Sequence, residues 1–139
     1  MGSHVIAPRE EFTDGSRRIL RIPGVGSVGV FNIGGSFFAL KNACPHQGAP
    51  LCLGSLGGTG RALWNESGGR PRIEWIRDKE VIRCPWHGWE FDVQTGRAIA
   101  NSDMRVRIYA VHVVQVANLD AELAQRAPVD HAEYVVLEV

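Results

Sequence analysis

Residues 84–89 are Cys-Pro-Trp-His-Gly-Trp, and residues 44–48 are Cys-Pro-His-Gln-Gly. Each segment has a proline directly after its cysteine and a glycine near its histidine. A thiolate and an imidazole two or three residues apart can face one metal site only where the backbone folds back in a tight loop. Proline fixes φ and removes one backbone N–H, and glycine lets backbone amides approach closely. The pattern therefore predicts two metal-binding loops. Their candidate ligands are Cys44, His46, Cys84 and His87.

Two sulfurs and two nitrogens suit more than one metal centre. They could hold a single zinc ion in a tetrahedral structural site, as part of a module that binds a partner. They could equally hold two irons bridged by two sulfides. The residue types and their spacing alone leave both centres open.

The doubled pattern resembles the two cluster loops of Rieske iron–sulfur proteins at every ligand and at the flanking glycines. This resemblance implies one two-iron two-sulfur cluster, with Cys44 and Cys84 on one iron and with His46 and His87 on the other. It also implies that each histidine binds through Nδ1 and leaves Nε2 near solvent. The implied fold is an all-β antiparallel sandwich or small barrel. Its cluster-binding subdomain would consist of two loops, near residues 44–49 and 84–89.

The chain lacks four residues that the respiratory members of that family carry around the cluster. Respiratory Rieske proteins carry an extra cysteine in each loop, and the two form a disulfide; this chain has Ala49 and Trp86 there. They also place a serine and a tyrosine hydroxyl beside the cluster, where this chain has Trp89 and Phe91. The chain thus resembles the ferredoxin and oxygenase branch. With fewer hydrogen bonds to the sulfurs, we expect a potential near or somewhat below about −150 mV.

The resemblance implies a one-electron carrier that is not an enzyme by itself. An oxygenase also needs a mononuclear iron held by two histidines and a carboxylate, and after His87 the chain has only His112 and His131, in no suitable pattern. We expect a ferredoxin that passes electrons from a reductase to a terminal oxygenase or similar acceptor. The alternative is a small Rieske subunit, or a fragment, of a larger oxygenase or of a nitrite-reductase-type enzyme.

Composition agrees with a single small domain over residues 1–139. Fifteen basic residues balance fifteen acidic ones, so charge gives no reason to expect nucleic acid or an anionic membrane as a partner. The N-terminus lacks a secretory apolar region, and no apolar stretch approaches the roughly 18 residues of a spanning helix. Three cysteines do not suggest a disulfide framework. We therefore expect a cytoplasmic protein, with Cys52 as a small buried hydrophobe.

Apolar patterning predicts mostly β structure. Gly34-Gly35 between two β-rich runs predicts a tight hairpin, and Thr95-Gly96 predicts a turn. A further hairpin is predicted at Asp78-Lys79, joining residues 73–76 to 81–83. Residues 53–72 contain six glycines and few periodic apolar positions, so an irregular insertion is predicted there.

The C-terminal third is predicted to contain two strands. Residues 105–116 alternate with period two, and residues 134–139 form a short apolar run. Between them, residues 119–126 could form one or two helical turns. The residues of the first strand expected to point inward are Val106, Ile108, Ala110, His112, Val114 and Val116. We therefore expect His112 to be a core histidine.

Trp86 and Trp89, which flank His87, are expected to pack around the cluster pocket, and one of them could face a partner.

Overall fold

The computed structural model describes residues 2–63, 72–100, 103–126 and 131–139. This part of the chain is mostly β-sheet, as expected. It divides into two compact units, Met1–Asn42 with Arg107–Val139 and Ala43–Val106. The second unit contains both predicted metal-binding loops. Single-domain organisation over residues 1–139 stays a prediction. None of the helices in the described ranges combines the length and the apolar composition needed to cross a membrane.

The described strands are numbered in chain order. They are β1 Ser3–Pro8, β2 Arg17–Ile22, β3 Gly26–Ile33, β4 Ser36–Lys41, β5 Ser55–Leu63, β6 Arg72–Arg83, β7 Glu90–Asp92, β8 Ile108–Gln115 and β9 Glu133–Glu138. The first unit holds a six-stranded antiparallel sheet in the order β1-β9-β8-β4-β3-β2. The second unit holds a three-stranded antiparallel sheet in the order β5-β6-β7.

The core of the first unit lies on one face of its sheet, where Phe12 packs edge-on against Phe37 with ring centroids 5.3 Å apart. The buried residues of this cluster are Ala7, Phe12, Ile22, Val28, Val30, Ala39, Val135 and Leu137. Tyr134 and Val136 of β9 form a second cluster, which Leu123 of the one-turn helix α1 (Ala121–Ala124) helps to cover. This helix confirms the helical turn predicted within 119–126.

Two of the predicted turns are observed. The Gly34-Gly35 hairpin joins β3 to β4, with Ile33 opposite Ser36 and both glycines at positive φ. At Thr95-Gly96, the Gly96 N–H donates to the Asp92 carbonyl at 2.8 Å. Both turns could be predicted because their geometry depends on residues adjacent in sequence.

The hairpin predicted at Asp78-Lys79 is wrong, because β6 continues through these residues from Arg72 to Arg83. The register of β6 with β5 shifts nearby: Val81 pairs with Gly57, whereas Ile76 pairs with Thr59. The intervening residues of β6 are therefore accommodated as an irregularity within the strand. Residues 72–76 and 81–83 both pair with β5, so these two segments cannot pair with each other as a hairpin at Asp78-Lys79 would require.

The irregular insertion predicted over 53–72 is also wrong for its first half. Residues Ser55–Leu63 form β5, which pairs with β6 along most of its length. Glycines at 57, 58 and 60 remove the side-chain alternation by which a strand is recognised, so the hydrogen-bond ladder defines this strand. Residues 64–71 lie outside the described residues.

Residues 108–115 form β8 as predicted, but most of the predicted inward face is wrong. Tyr109 and Val111 pack on the core, whereas Ile108 is 44% exposed and His112 is exposed. The expected core histidine is therefore a surface residue. The confirmed members of the predicted inward set are Val106 and Val114. When apolar residues occupy both odd and even positions of a strand, the sequence does not show which face points to the core. A shift of one residue reverses the assignment of the two faces.

Candidate metal centre

Residues 44–49 form a loop that closes on its own cysteine. The Cys44 N–H donates to the Ala49 carbonyl at 2.8 Å, and the Gly48 N–H donates to the Cys44 carbonyl at 2.7 Å. Gly48 has φ +76°, which residues with a Cβ rarely adopt. The glycine therefore lets the chain turn back on Cys44, as the sequence predicted.

Residues 84–89 repeat the same two hydrogen bonds. The Cys84 N–H donates to the Trp89 carbonyl at 2.7 Å, and the Gly88 N–H donates to the Cys84 carbonyl at 3.0 Å, with Gly88 at φ +72°. The loop connects β6 to β7, and at its base Arg83 pairs with Glu90 in the ladder. Their side chains also form an ion pair at 2.9 Å.

The fold brings the four candidate ligands together in pairs. The Cys44 and Cys84 thiols are hydrogen-bond neighbours, and each residue is 2% exposed. The imidazole rings of His46 and His87 lie nearly perpendicular, with centroids 5.1 Å apart, and both residues are exposed. The site therefore has two sulfurs on its protein side and two nitrogens on its solvent side.

Burial is the main cause of an altered acidity at Cys44. It raises the pKa of the Cys44 thiol above its ordinary value, and the neighbouring Cys84 thiol raises the pKa further. The backbone N–H groups of His46 and Gln47 point at the sulfur and lower the pKa. Without a metal, the thiol is therefore held in its protonated form. In a metal-bound site, the same N–H groups would stabilise negative charge on the sulfur.

The paired arrangement fits a two-iron cluster, since each iron takes two protein ligands. Within the described residues, no group of three or more His, Cys, Asp or Glu side chains is placed to hold one metal ion. Cys52, in the short 3-10 turn Leu51–Leu53, is fully buried, as its sequence context predicted.

Of the two tryptophans in the second loop, only one packs against the site. The Trp89 ring lies against the His46 ring of the first loop, with centroids 5.3 Å apart and planes inclined by 34°. Trp86 is 57% exposed, so the expectation that both tryptophans pack at the site is confirmed only for Trp89. The sequence did not predict the contact between Trp89 and His46. Its only signal was an aromatic residue directly after the loop glycine.

Comparison with known proteins identifies the family. The model of the Rieske [2Fe-2S] domain matches residues 2–116. The chain therefore belongs to the Rieske [2Fe-2S] domain family, whose cofactor is one two-iron two-sulfur cluster of the Rieske type. The match decides between the two centres that the sequence left open, in favour of the iron–sulfur cluster.

The similar proteins include both short and long chains. The 3-phenylpropionate/cinnamic acid dioxygenase ferredoxin subunit of Escherichia coli K12 is 26% identical over 68% of this chain and 71% of its own. Human apoptosis-inducing factor 3 is 38% identical over 52% of this chain, which spans only 9% of the human protein. The solved ferredoxin of carbazole 1,9a-dioxygenase from Nocardioides aromaticivorans IC177 has the same fold. It aligns with a TM-score of 0.58 and 24% identity, over 98% of this chain and 97% of its own.

Proposed function

We propose that this chain is a one-electron carrier, the ferredoxin component that passes electrons from a reductase to a terminal oxygenase or similar acceptor. Its cluster is held by Cys44 and Cys84 on one iron and by His46 and His87 on the other. The observation that carries this proposal is the pairing of two buried thiols with two exposed imidazoles. The match to a ferredoxin subunit over most of that protein's length supports it.

The residues around the site have separate tasks in this function. A Rieske cluster supplies a one-electron couple whose potential depends on its ligands and on the hydrogen bonds to its sulfurs. Cys44 and Cys84 keep the sulfur side away from water, because both are almost fully buried. His46 and His87 reach the surface, so a docked partner is separated from the metal site by only a few atoms. Small interfaces suit redox partners that must bind and leave quickly.

We also place this carrier in the cytoplasm as a single domain over residues 1–139. None of the three cysteines is part of a disulfide in the structure. Disulfides are rare in a reducing compartment such as the cytoplasm.

The cluster and its ligands are tested by electron paramagnetic resonance of the dithionite-reduced protein, together with iron and acid-labile sulfide analysis. We expect a Rieske spectrum with two irons and two sulfides per chain. Cys84→Ala should lose the cluster, whereas Cys52→Ala, which removes a buried thiol outside the proposed ligand set, should retain it. A protein that bound one zinc and no sulfide would refute the proposal. A normal spectrum from Cys84→Ala would remove Cys84 from the ligand set.

The alternative function is a Rieske module within a larger oxygenase or nitrite-reductase-type enzyme. It is favoured by one finding, that a sequence 32% identical over 69% of this chain occupies 18% of the carnitine monooxygenase oxygenase subunit of Escherichia coli K12. Turnover assays with a reductase alone, and then with a terminal oxygenase added, distinguish the two. A carrier should support product formation only in the second assay. Absence of product in both assays would favour the module, because a module detached from its own enzyme does not act as a free carrier.

A further inference from the structure

Gly54 lies closer to another part of the backbone than any side chain would allow. A methyl group built on Gly54 would lie 1.8 Å from the Arg83 carbonyl oxygen and 2.9 Å from the Arg83 carbonyl carbon. Gly54 itself has φ −71° and ψ 169°, which any residue can adopt. Glycine is therefore required at this position by the lack of space and not by the backbone conformation.

The close approach joins the two loops at their bases. On one side, the chain from Cys44 is held by its hydrogen bond to Ala49 and ends at Gly54, whose N–H donates to the Leu51 carbonyl at 2.9 Å. On the other side, the Arg83 carbonyl belongs to the peptide bond that leads into Cys84. A displacement at Gly54 is therefore transmitted through one peptide unit to Cys84.

We infer that Gly54 is a positioning residue that sets the separation between the two cysteines. The inference rests on the proposed ligand set, since it concerns the distance between Cys44 and Cys84. The first β5–β6 pair, Ser55 opposite Arg83, follows directly and holds the contact in place. An added methyl would meet backbone atoms, which have no alternative rotamer, so relief requires the chain segments to move apart.

The experiment compares Gly54→Ala with wild type and with Gly24→Ala. Gly24 is a control for the lack of space, because a methyl there meets nothing within 4 Å, although alanine at its φ of +79° is strained. For Gly54→Ala we expect a native β circular dichroism spectrum, a shifted electron paramagnetic resonance spectrum and midpoint potential, and roughly tenfold faster loss of iron to a chelator. Gly24→Ala should keep the wild-type spectrum, potential and rate of iron loss.

Each outcome decides the inference. A Gly54→Ala protein with wild-type spectrum, potential and iron-loss rate would overturn it. A chain that lost its β spectrum would also overturn it, because Gly54 would then be needed for folding and not for positioning. A wild-type protein with no Rieske spectrum would instead refute the proposed function, so the two failures are distinguishable.

Discussion

With the proposed ligand set, the charge of the ligands on the exposed side of the site should control the redox potential. His87→Cys replaces a neutral imidazole by a negatively charged thiolate. The added negative charge disfavours the reduced cluster, which carries one more negative charge than the oxidised cluster. We expect this variant to retain some cluster and to have a midpoint potential lower by on the order of 100 mV. His112→Cys is a matched control, because His112 is exposed on β8, outside the proposed ligand set. An equilibrium redox titration compares them, and an unchanged midpoint in cluster-containing His87→Cys would argue against His87 as a ligand.

The resemblance to respiratory Rieske proteins places residues 89 and 91 where those proteins have hydroxyl donors to the cluster sulfurs. Trp89 lies against His46, and Phe91 is fully buried. Neither side chain carries a hydroxyl, so neither can supply the O–H donors found in respiratory Rieske proteins. We therefore expect a wild-type midpoint near or somewhat below about −150 mV in an equilibrium titration. A midpoint well above zero would contradict this explanation of the potential.

Among the structural elements, the stability of the two loops should depend on bound metal far more than the stability of the β3–β4 hairpin does. Their hydrogen bonds are local to residues 44–54 and 84–89, and a bound cluster would link the two loops. We expect cluster removal to speed amide exchange at these loops in hydrogen–deuterium exchange mass spectrometry. The β3–β4 hairpin, which pairs over six residue pairs, provides an internal control and should remain protected. Equal loss of protection in both would indicate global unfolding.

The elements also show why some local predictions were correct and others wrong. The Gly34-Gly35 hairpin and both cysteine loops were predicted, because each is closed by hydrogen bonds between residues close in sequence. Strand β5 was missed because its glycines carry no side-chain pattern. The Asp78-Lys79 hairpin was predicted wrongly, since pairing of β6 with its neighbouring strands kept it extended. Pairing between distant segments is not encoded in the local preference of either segment.

At the scale of the whole molecule, the lack of charge at the site predicts how a partner binds. The chain is neutral overall, and residues 44–54 and 84–89 contain no Lys, Arg, Asp or Glu. Electrostatic steering should therefore contribute little to association. We expect the second-order rate of electron transfer to its acceptor, measured by stopped flow, to change less than about twofold between low and physiological salt. A strong salt dependence would show that charged surfaces elsewhere on the chain direct docking.

Exposed Trp86 is the residue at this surface best suited to anchor a partner. Tryptophans that become buried when two proteins bind often contribute most of the binding energy. We expect Trp86→Ala to slow electron transfer roughly tenfold, with an unchanged midpoint potential. Ile108→Ala, which removes another exposed apolar side chain, should leave the rate unchanged. If both variants transferred electrons at the wild-type rate, Trp86 would have no part in docking.

The sequence by itself predicted the candidate donor set and determined the shape of each loop, because a cysteine, a proline, a histidine and a glycine within six residues leave the backbone few conformations. It also determined the β character of the chain, through short apolar runs separated by turns. Only the tertiary structure decided that β5 pairs with β6, that His112 faces outward, and that Gly54 lies against the Arg83 carbonyl. Those features depend on residues far apart in the chain, whose approach is set by the packing of the folded molecule and by no local preference.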